Sequence, residues 1–254
     1  MIEWKLSEKD RKIVGLLKTM DSRYLDDAMN GRFCFNLPGN FRNDDGLKKG
    51  QIDVHEGMNI HKLTDLVISE LTIEEDGSEK YGPVMPFASE ATGYFGNPIS
   101  DKTALCCFRS VTNDDFEFRD DKIFLKLRDD IVDRIKAEMG HDAFIFIPSI
   151  PYLISRFETA GECVFGKSVH YGYPDKEFEE FLDTCTFPQK SLFQKSKEYE
   201  WQKEFRFITT KNPDEKGHVF INVGSLITSA LGGPIDGLSE GVRCGHVVKK
   251  VSQA

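Results

Sequence analysis

Apolar positions along this chain fall in short runs separated by polar, turn-rich stretches, and most runs have the length of strands. Over residues 7–20, Ile13, Leu16, Leu17 and Met20 fall at helical spacing. Ser7 stands as a cap with Asp10 three residues on, so the pattern predicts a helix. A second short helix over 23–30 gathers Tyr24, Leu25, Ala28 and Met29 and stops at Asn30-Gly31. Residues 32–36, Arg-Phe-Cys-Phe-Asn, read as a strand closed by Leu37, Pro38, Gly39 and Asn40.

The pattern then dissolves. From 41 to 57, Asn43, Asp44, Asp45, Gly46, Gly50, Asp53 and Gly57 make a long polar loop of the kind that covers substrates. Residues 59–74 mix helix and strand signals, and 74–82 is another polar turn. Strands are expected at 103–108, 122–127, 143–147, 162–171, 218–223 and 242–248. Helices are expected at 129–139, stopped by Gly140, and at 177–185. Residues 149–157 are ambiguous because Pro151 interrupts them. The stretch 226–231 is short and apolar.

No repeat, low-complexity tract or linker divides the chain, so 1–254 reads as a single α+β domain, helices packed on mixed or antiparallel sheet. Twenty phenylalanines in strand-like runs favour a sheet-rich core. A net charge of −9 argues against a protein that coats nucleic acid through a broad basic field, although one local basic patch would suffice for an enzyme. Cysteines 34, 106, 107, 163, 185 and 244 form no CxxC pair, as expected for reduced, mostly buried thiols. The charged N-terminus has no apolar segment of the secretory type, and no run is long enough to span a bilayer. The expectation is a cytoplasmic protein with no membrane partner. There is no GxGxxG and no GxxxxGK[ST], and the six histidines have no Cys or Ser partner at a telling spacing.

Three segments can carry chemistry. Residues 199–209 are predicted as one strand with Glu200, Gln202, Glu204, Arg206 and Ile208 on one face and Tyr199, Trp201, Lys203, Phe205 and Phe207 on the other. Such a polar file can grip ribose hydroxyls, and a carboxylate in it can stabilise positive charge on an anomeric carbon. It is also what a solvated strand face looks like, or a helix with Glu200 and Glu204 one turn apart. Next, Arg23 at the start of a helix can pair with phosphate. The acids Asp44, Asp45, Asp53 and Glu56 suggest a hard-metal site, but their spacing matches no calcium loop, and no metal is expected.

Taken together these segments resemble the opening and late motif of a widespread bacterial family of uncharacterised proteins, whose layout is similar to that of the ADP-ribosyltransferase superfamily. The resemblance rests on Arg23-Tyr24, on Gly31 to Asn36, on Pro38 to Arg42, and on the loop ending Glu56-Gly57. It continues at Leu105 to Ser110 and at Lys195 to Arg206. It covers roughly residues 20–210 in patches. Gln202-Lys203-Glu204 is similar to the Gln-x-Glu of the ADP-ribosyltransferase superfamily, which includes nucleic-acid-modifying toxins of toxin–antitoxin and phage-defence systems.

The resemblance implies an ADP-ribosyltransferase-like fold and NAD as substrate. It implies Glu204 as catalytic acid and Gln202 as the group that positions the acceptor. Arg23, Tyr24, Asn36 and Ser110 are implied as the NAD-binding set. It further implies a macromolecular acceptor, nucleic acid favoured over protein, and an antitoxin partner. On this reading Glu204→Ala abolishes transfer and leaves the fold intact. The alternatives are a non-catalytic interaction module that keeps the fold, and a metal-dependent hydrolase built on Asp44, Asp45, Asp53 and Glu56.

Overall fold

The computed structural model describes residues 10–42, 48–69, 71–74, 77–184 and 189–246. The architecture is mixed α+β, with mostly antiparallel sheets and few helices. Eight strands form the main sheet, numbered here in chain order: β1 (Gly15–Met20), β2 (Arg32–Asn36), β3 (Ala104–Val111), β4 (Ala143–Ile147), β5 (Phe165–Ser168), β6 (Glu204–Thr209), β7 (His218–Asn222) and β8 (Leu231–Pro234). The continuous path runs β5-β6-β3-β1-β4-β8, and a β2–β7 ribbon branches from β3.

Where the sequence suggests a helix at 7–20, the chain makes a single 3-10 turn at Asp10–Lys12 and then β1. Residues 7–9 lie outside the described residues. Leu16 and Leu17 are adjacent yet both fully buried. That suits a central strand covered on both faces, which reads as a continuous apolar run. Leu16 faces a cluster with Phe33, Phe108, Phe157 and Phe207, while Leu17 faces one with Val132, Ile135, Phe144 and Phe146.

Helices cover those two faces. The ambiguous stretch after β4 is the helix Ile150–Thr159, capped by Ser149, whose hydroxyl accepts from Tyr152 N at 3.1 Å. Pro151 sits in its first turn, where the missing N–H costs nothing. Its Ile150, Leu153, Ile154 and Phe157 pack on the Leu16 face. The helix expected at 129–139 is α-helical over Asp129–Arg134 and π-helical over Ile135–Met139, and ends at Gly140 in the left-handed region (φ 68°). At the entry to β2, Gly31 has φ 79°, and an added Cβ would collide with the Gly224 carbonyl. The Asn30-Gly31 stop therefore needs its glycine.

A long two-stranded arm, Met58–Ile68 paired with Met85–Gly96, leaves the main sheet. The side-chain amide of Gln194 holds its base, exchanging two hydrogen bonds with the backbone of Ile60 (2.9 and 3.0 Å).

The feature that positions the site is a fork in the main sheet. β1 pairs with β3 only at Gly15↔Val111, Leu16↔Ser110 and Leu17↔Arg109, then continues against β4. β2 touches the same edge of β3 at Asn36↔Leu105. Between these contacts the edge of β3 from Cys106 to Phe108 has no strand partner among the described residues, while β6 pairs along the opposite edge from Ala104 to Arg109. No helix among the described residues is long and apolar enough to cross a membrane.

Candidate functional site

The fork opens into one large cleft, with a cavity volume of about 850 Å³. Its walls come from β1 and the turn after it, from β2, β3 and β7, from the 48–56 segment, and from the chain around 195–204. Of the six residues the resemblance nominates, five line it: Arg23, Tyr24, Asn36, Gln202 and Glu204. Ser110 does not. It is buried where β3 pairs with β1, its Oγ lacks a hydrogen-bond partner, and its N–H donates to Lys203 O at 2.8 Å. Its neighbour Arg109 reaches the cleft instead.

The strand expected at 199–209 begins only at Glu204. Lys197–Gln202 is a 3-10 helix, and Lys203, in the left-handed region at φ 47°, turns the chain into β6. Glu200 is therefore on the surface, paired with Lys197 at 2.7 Å, and does not share a face with Glu204. The alternation holds from there: Glu204, Arg206 and Ile208 occupy one face of β6, opposite Arg109, Cys107 and Leu105 of β3.

Gln202 and Glu204 still converge, through a residue absent from the nominated set. Lys195 Nζ donates to Glu204 Oε1 at 2.8 Å and to Gln202 Oε1 at 2.9 Å. The second oxygen of Glu204 accepts from Arg206 Nε at 2.7 Å. Arg206, with no exposed surface, also grips Glu56 with both terminal nitrogens at 2.6 and 2.8 Å. Two carboxylates and two cations thus form one buried, charge-balanced chain.

Burial opposes ionisation of Glu204, but Arg206 and Lys195 overcome it and hold the carboxyl down at about 2. Burial pushes the Glu56 carboxyl up against the pull of Arg206. The Tyr171 hydroxyl accepts from Glu204 N at 2.7 Å, and burial raises that phenol well above its ordinary value.

The 48–57 segment, expected as a loose cover, is tied to this network. Gln202 Nε2 donates to Gly50 O at 2.7 Å, Tyr199 donates to Ile52 O at 2.8 Å, and Arg206 holds Glu56. Gln202 thus uses both ends of its amide inside the protein. The hydrolase alternative loses a ligand, because Glu56 is bound to Arg206 and Asp53 accepts from His55 N at 3.0 Å. Asp44 and Asp45 lie outside the described residues. No group of three or more metal-ligating side chains occurs among the described residues.

Elsewhere in the cleft, Arg23 stacks on Tyr24 with its guanidinium carbon 4.7 Å from the ring centre, and pairs with Asp21 at 3.4 Å. Both side chains are exposed. His141 bridges Thr19 Oγ1 (2.8 Å) and Gln51 Nε2 (3.1 Å). Because the Gln51 Oε1 accepts from Lys48 N, its Nε2 donates to His141 Nε2, leaving the proton of the neutral ring on Nδ1. Burial, followed by the charge of Lys18, lowers His141 to about 4.

No family model, no curated protein and no solved structure matches this chain.

Proposed function

We propose that this protein is an NAD-consuming ADP-ribosyltransferase that modifies a macromolecule, built on an ADP-ribosyltransferase-like fold, with Glu204 as its catalytic carboxylate. The observation that carries the reading is the placement of Glu204. It is held ionised in the wall of a cleft large enough for a dinucleotide, and that cleft also collects Arg23, Tyr24 and Asn36 from distant parts of the chain.

In the reaction the bond from nicotinamide to the ribose anomeric carbon breaks, and nicotinamide leaves with the electron pair. The acceptor nucleophile bonds to that carbon and releases its proton to solvent water. Each carboxylate oxygen accepts two bonds. Lys195 and Arg206 take one on each oxygen of Glu204, so capacity remains for a ribose hydroxyl while the charge faces the cationic carbon. Lys195 and Gln202 are positioning residues, Gln202 acting through Lys195 and Gly50 and not on the acceptor.

A second reading, an interaction module with no catalysis, is favoured by one fact: the charge-balanced network already occupies both oxygens of Glu204. The two part on a direct experiment. Wild type and Glu204→Gln, both checked for folding by circular dichroism, are incubated with NAD labelled in the adenylate and with bacterial RNA, DNA and protein. Label on one acceptor class with wild type alone supports the transferase. No label on any class, with no heat of NAD binding in calorimetry, leaves the module.

A further inference from the structure

The cleft inverts the charge of the chain that forms it. The protein carries −9 overall, yet pairing the cleft's ions leaves only cations. Arg23 is matched by Asp21 at 3.4 Å, Arg32 by Asp27 at 3.3 Å, and Lys195 by Glu204 at 2.8 Å. Glu56 belongs to Arg206. Lys18, Lys48 and Arg109 remain, and none has a carboxylate within ion-pair distance among the described residues.

Lys18 and Arg109 stand at the crotch of the fork. Leu17↔Arg109 is the last pair joining β1 to β3, and Lys18 is the next residue along β1. Lys18 Nζ donates to Cys107 O at 3.0 Å, on the edge of β3 that no strand covers, and is also hydrogen-bonded to the Cys106 side chain. It lies 5.2 Å from the centre of the Phe108 ring. Its titratable neighbour Cys106 does not balance the charge, since burial raises that thiol and keeps it protonated at neutral pH. One donor of the ammonium is left without a protein partner.

Arg109 is 8% exposed and makes one bond, from Nη1 to Trp201 O at 2.6 Å, while its Nε is buried with no partner at all. A buried cation with unused donors is costly unless something negative meets it. Lys48, at the rim, lays its stem against Gly140.

We propose that the fork holds an anion site of its own, separate from the Glu204 network, in which Lys18 and Arg109 bind a phosphate group of the ligand. Phosphate suits the site because the ammonium from β1 and the guanidinium from β3, neither matched by a carboxylate, line the same cavity, and because Phe33, Phe108 and Trp201 in its lining accommodate the organic remainder. The site depends on the transferase reading only for the ligand's identity. If the ligand is NAD, its pyrophosphate sits here, deeper than Arg23 at the mouth.

The test is calorimetric titration of the full chain with inorganic pyrophosphate, ADP-ribose and adenosine, repeated with Lys18→Met and Lys18→Arg. Wild type should bind the two phosphate compounds and not adenosine. Lys18→Met should weaken both about tenfold or more, the usual worth of a charge-assisted hydrogen bond. Lys18→Arg should restore binding. The methionine variant removes an unpaired charge, so its melting temperature should hold or rise, which separates lost binding from lost fold. Equal pyrophosphate affinity in wild type and a folded Lys18→Met overturns the site, as does wild type that binds neither compound. Phosphate binding without any label transfer keeps the site and removes the enzyme; transfer undisturbed in Lys18→Met does the reverse.

Discussion

Glu204 and Arg206 stand two residues apart on one face of β6 and meet side by side, Arg206 Nε donating to Glu204 Oε2 across 2.7 Å. The same guanidinium reaches Glu56, 150 positions earlier, with its remaining nitrogens. One residue therefore ties the late strand to the segment that closes the cleft. This changes what a substitution at Glu204 does. Truncation to alanine would leave Lys195 and part of Arg206 buried and unmatched, at a cost of about 3–5 kcal/mol. Glutamine, which keeps the shape of the side chain, is therefore the informative replacement.

Acid should expose Glu204 directly. Its carboxyl titrates at about 2 in the folded chain, against an ordinary 4.5. Because the folded value is the lower one, the stabilisation is complete above pH 4.5 and drains away as pH falls toward 2. At 1.36 kcal/mol per unit this is about 3 kcal/mol. Denaturant titrations at stepped pH should show that loss in wild type, and a flatter profile over the same range in Glu204→Gln.

His141 should produce an earlier, separate loss. Burial depresses its folded value to about 4 from 6.5, so the unfolded chain takes up the proton first. Stability is full above pH 6.5 and declines as pH falls to 4, by about 3 kcal/mol. His141→Gln should abolish the slope in that window and leave the lower one. A profile identical to wild type between pH 6.5 and 4 would contradict the buried, neutral ring.

Arg206→Lys should be nearly as damaging as removal. A lysine is a point charge on a flexible stem and cannot hold Glu204 and Glu56 together in the forked geometry of a guanidinium. A loss of about 3 kcal/mol or more in urea unfolding is expected, and Gln202→Ala, which leaves every charge paired, should lose clearly less.

Lys203 is the hinge between the 3-10 helix and β6, at φ 47°. Its side chain is exposed, so only the backbone matters there. Lys203→Val forces a β-branched residue into the left-handed region and should cost about 1–2 kcal/mol. Lys203→Gly should be close to neutral, relief of strain being offset by added freedom of the unfolded chain. Equal stability of the valine and glycine variants in thermal melts would contradict the turn.

Several elements were readable residue by residue. Arg32–Asn36 and Ala143–Ile147 carry their strand character in composition, and both have the boundaries expected. β1 was misread because Ile13, Leu16, Leu17 and Met20 satisfy a helical spacing equally well; only the cover on both sheet faces, which is tertiary, explains two adjacent buried leucines. Glu204 was legible, since the alternation after it is genuine. Its partners were not. Lys195 sits in a polar run that gives no sign of burial, and nothing local links Glu56 to Arg206. The arm strand Met85–Gly96 has a mostly exposed surface and so lacks the apolar alternation that marks a packed strand.

The fork of the main sheet carries one more implication. Both walls of the groove are laced to the single strand β3, β1 at Gly15–Leu17 and β2 at Asn36. They cannot swing apart as two bodies about a hinge without tearing ladder hydrogen bonds. Occupancy should therefore leave the backbone framework where it stands, and whatever adjustment a guest demands falls to the 48–57 segment, a wall fastened chiefly by side chains.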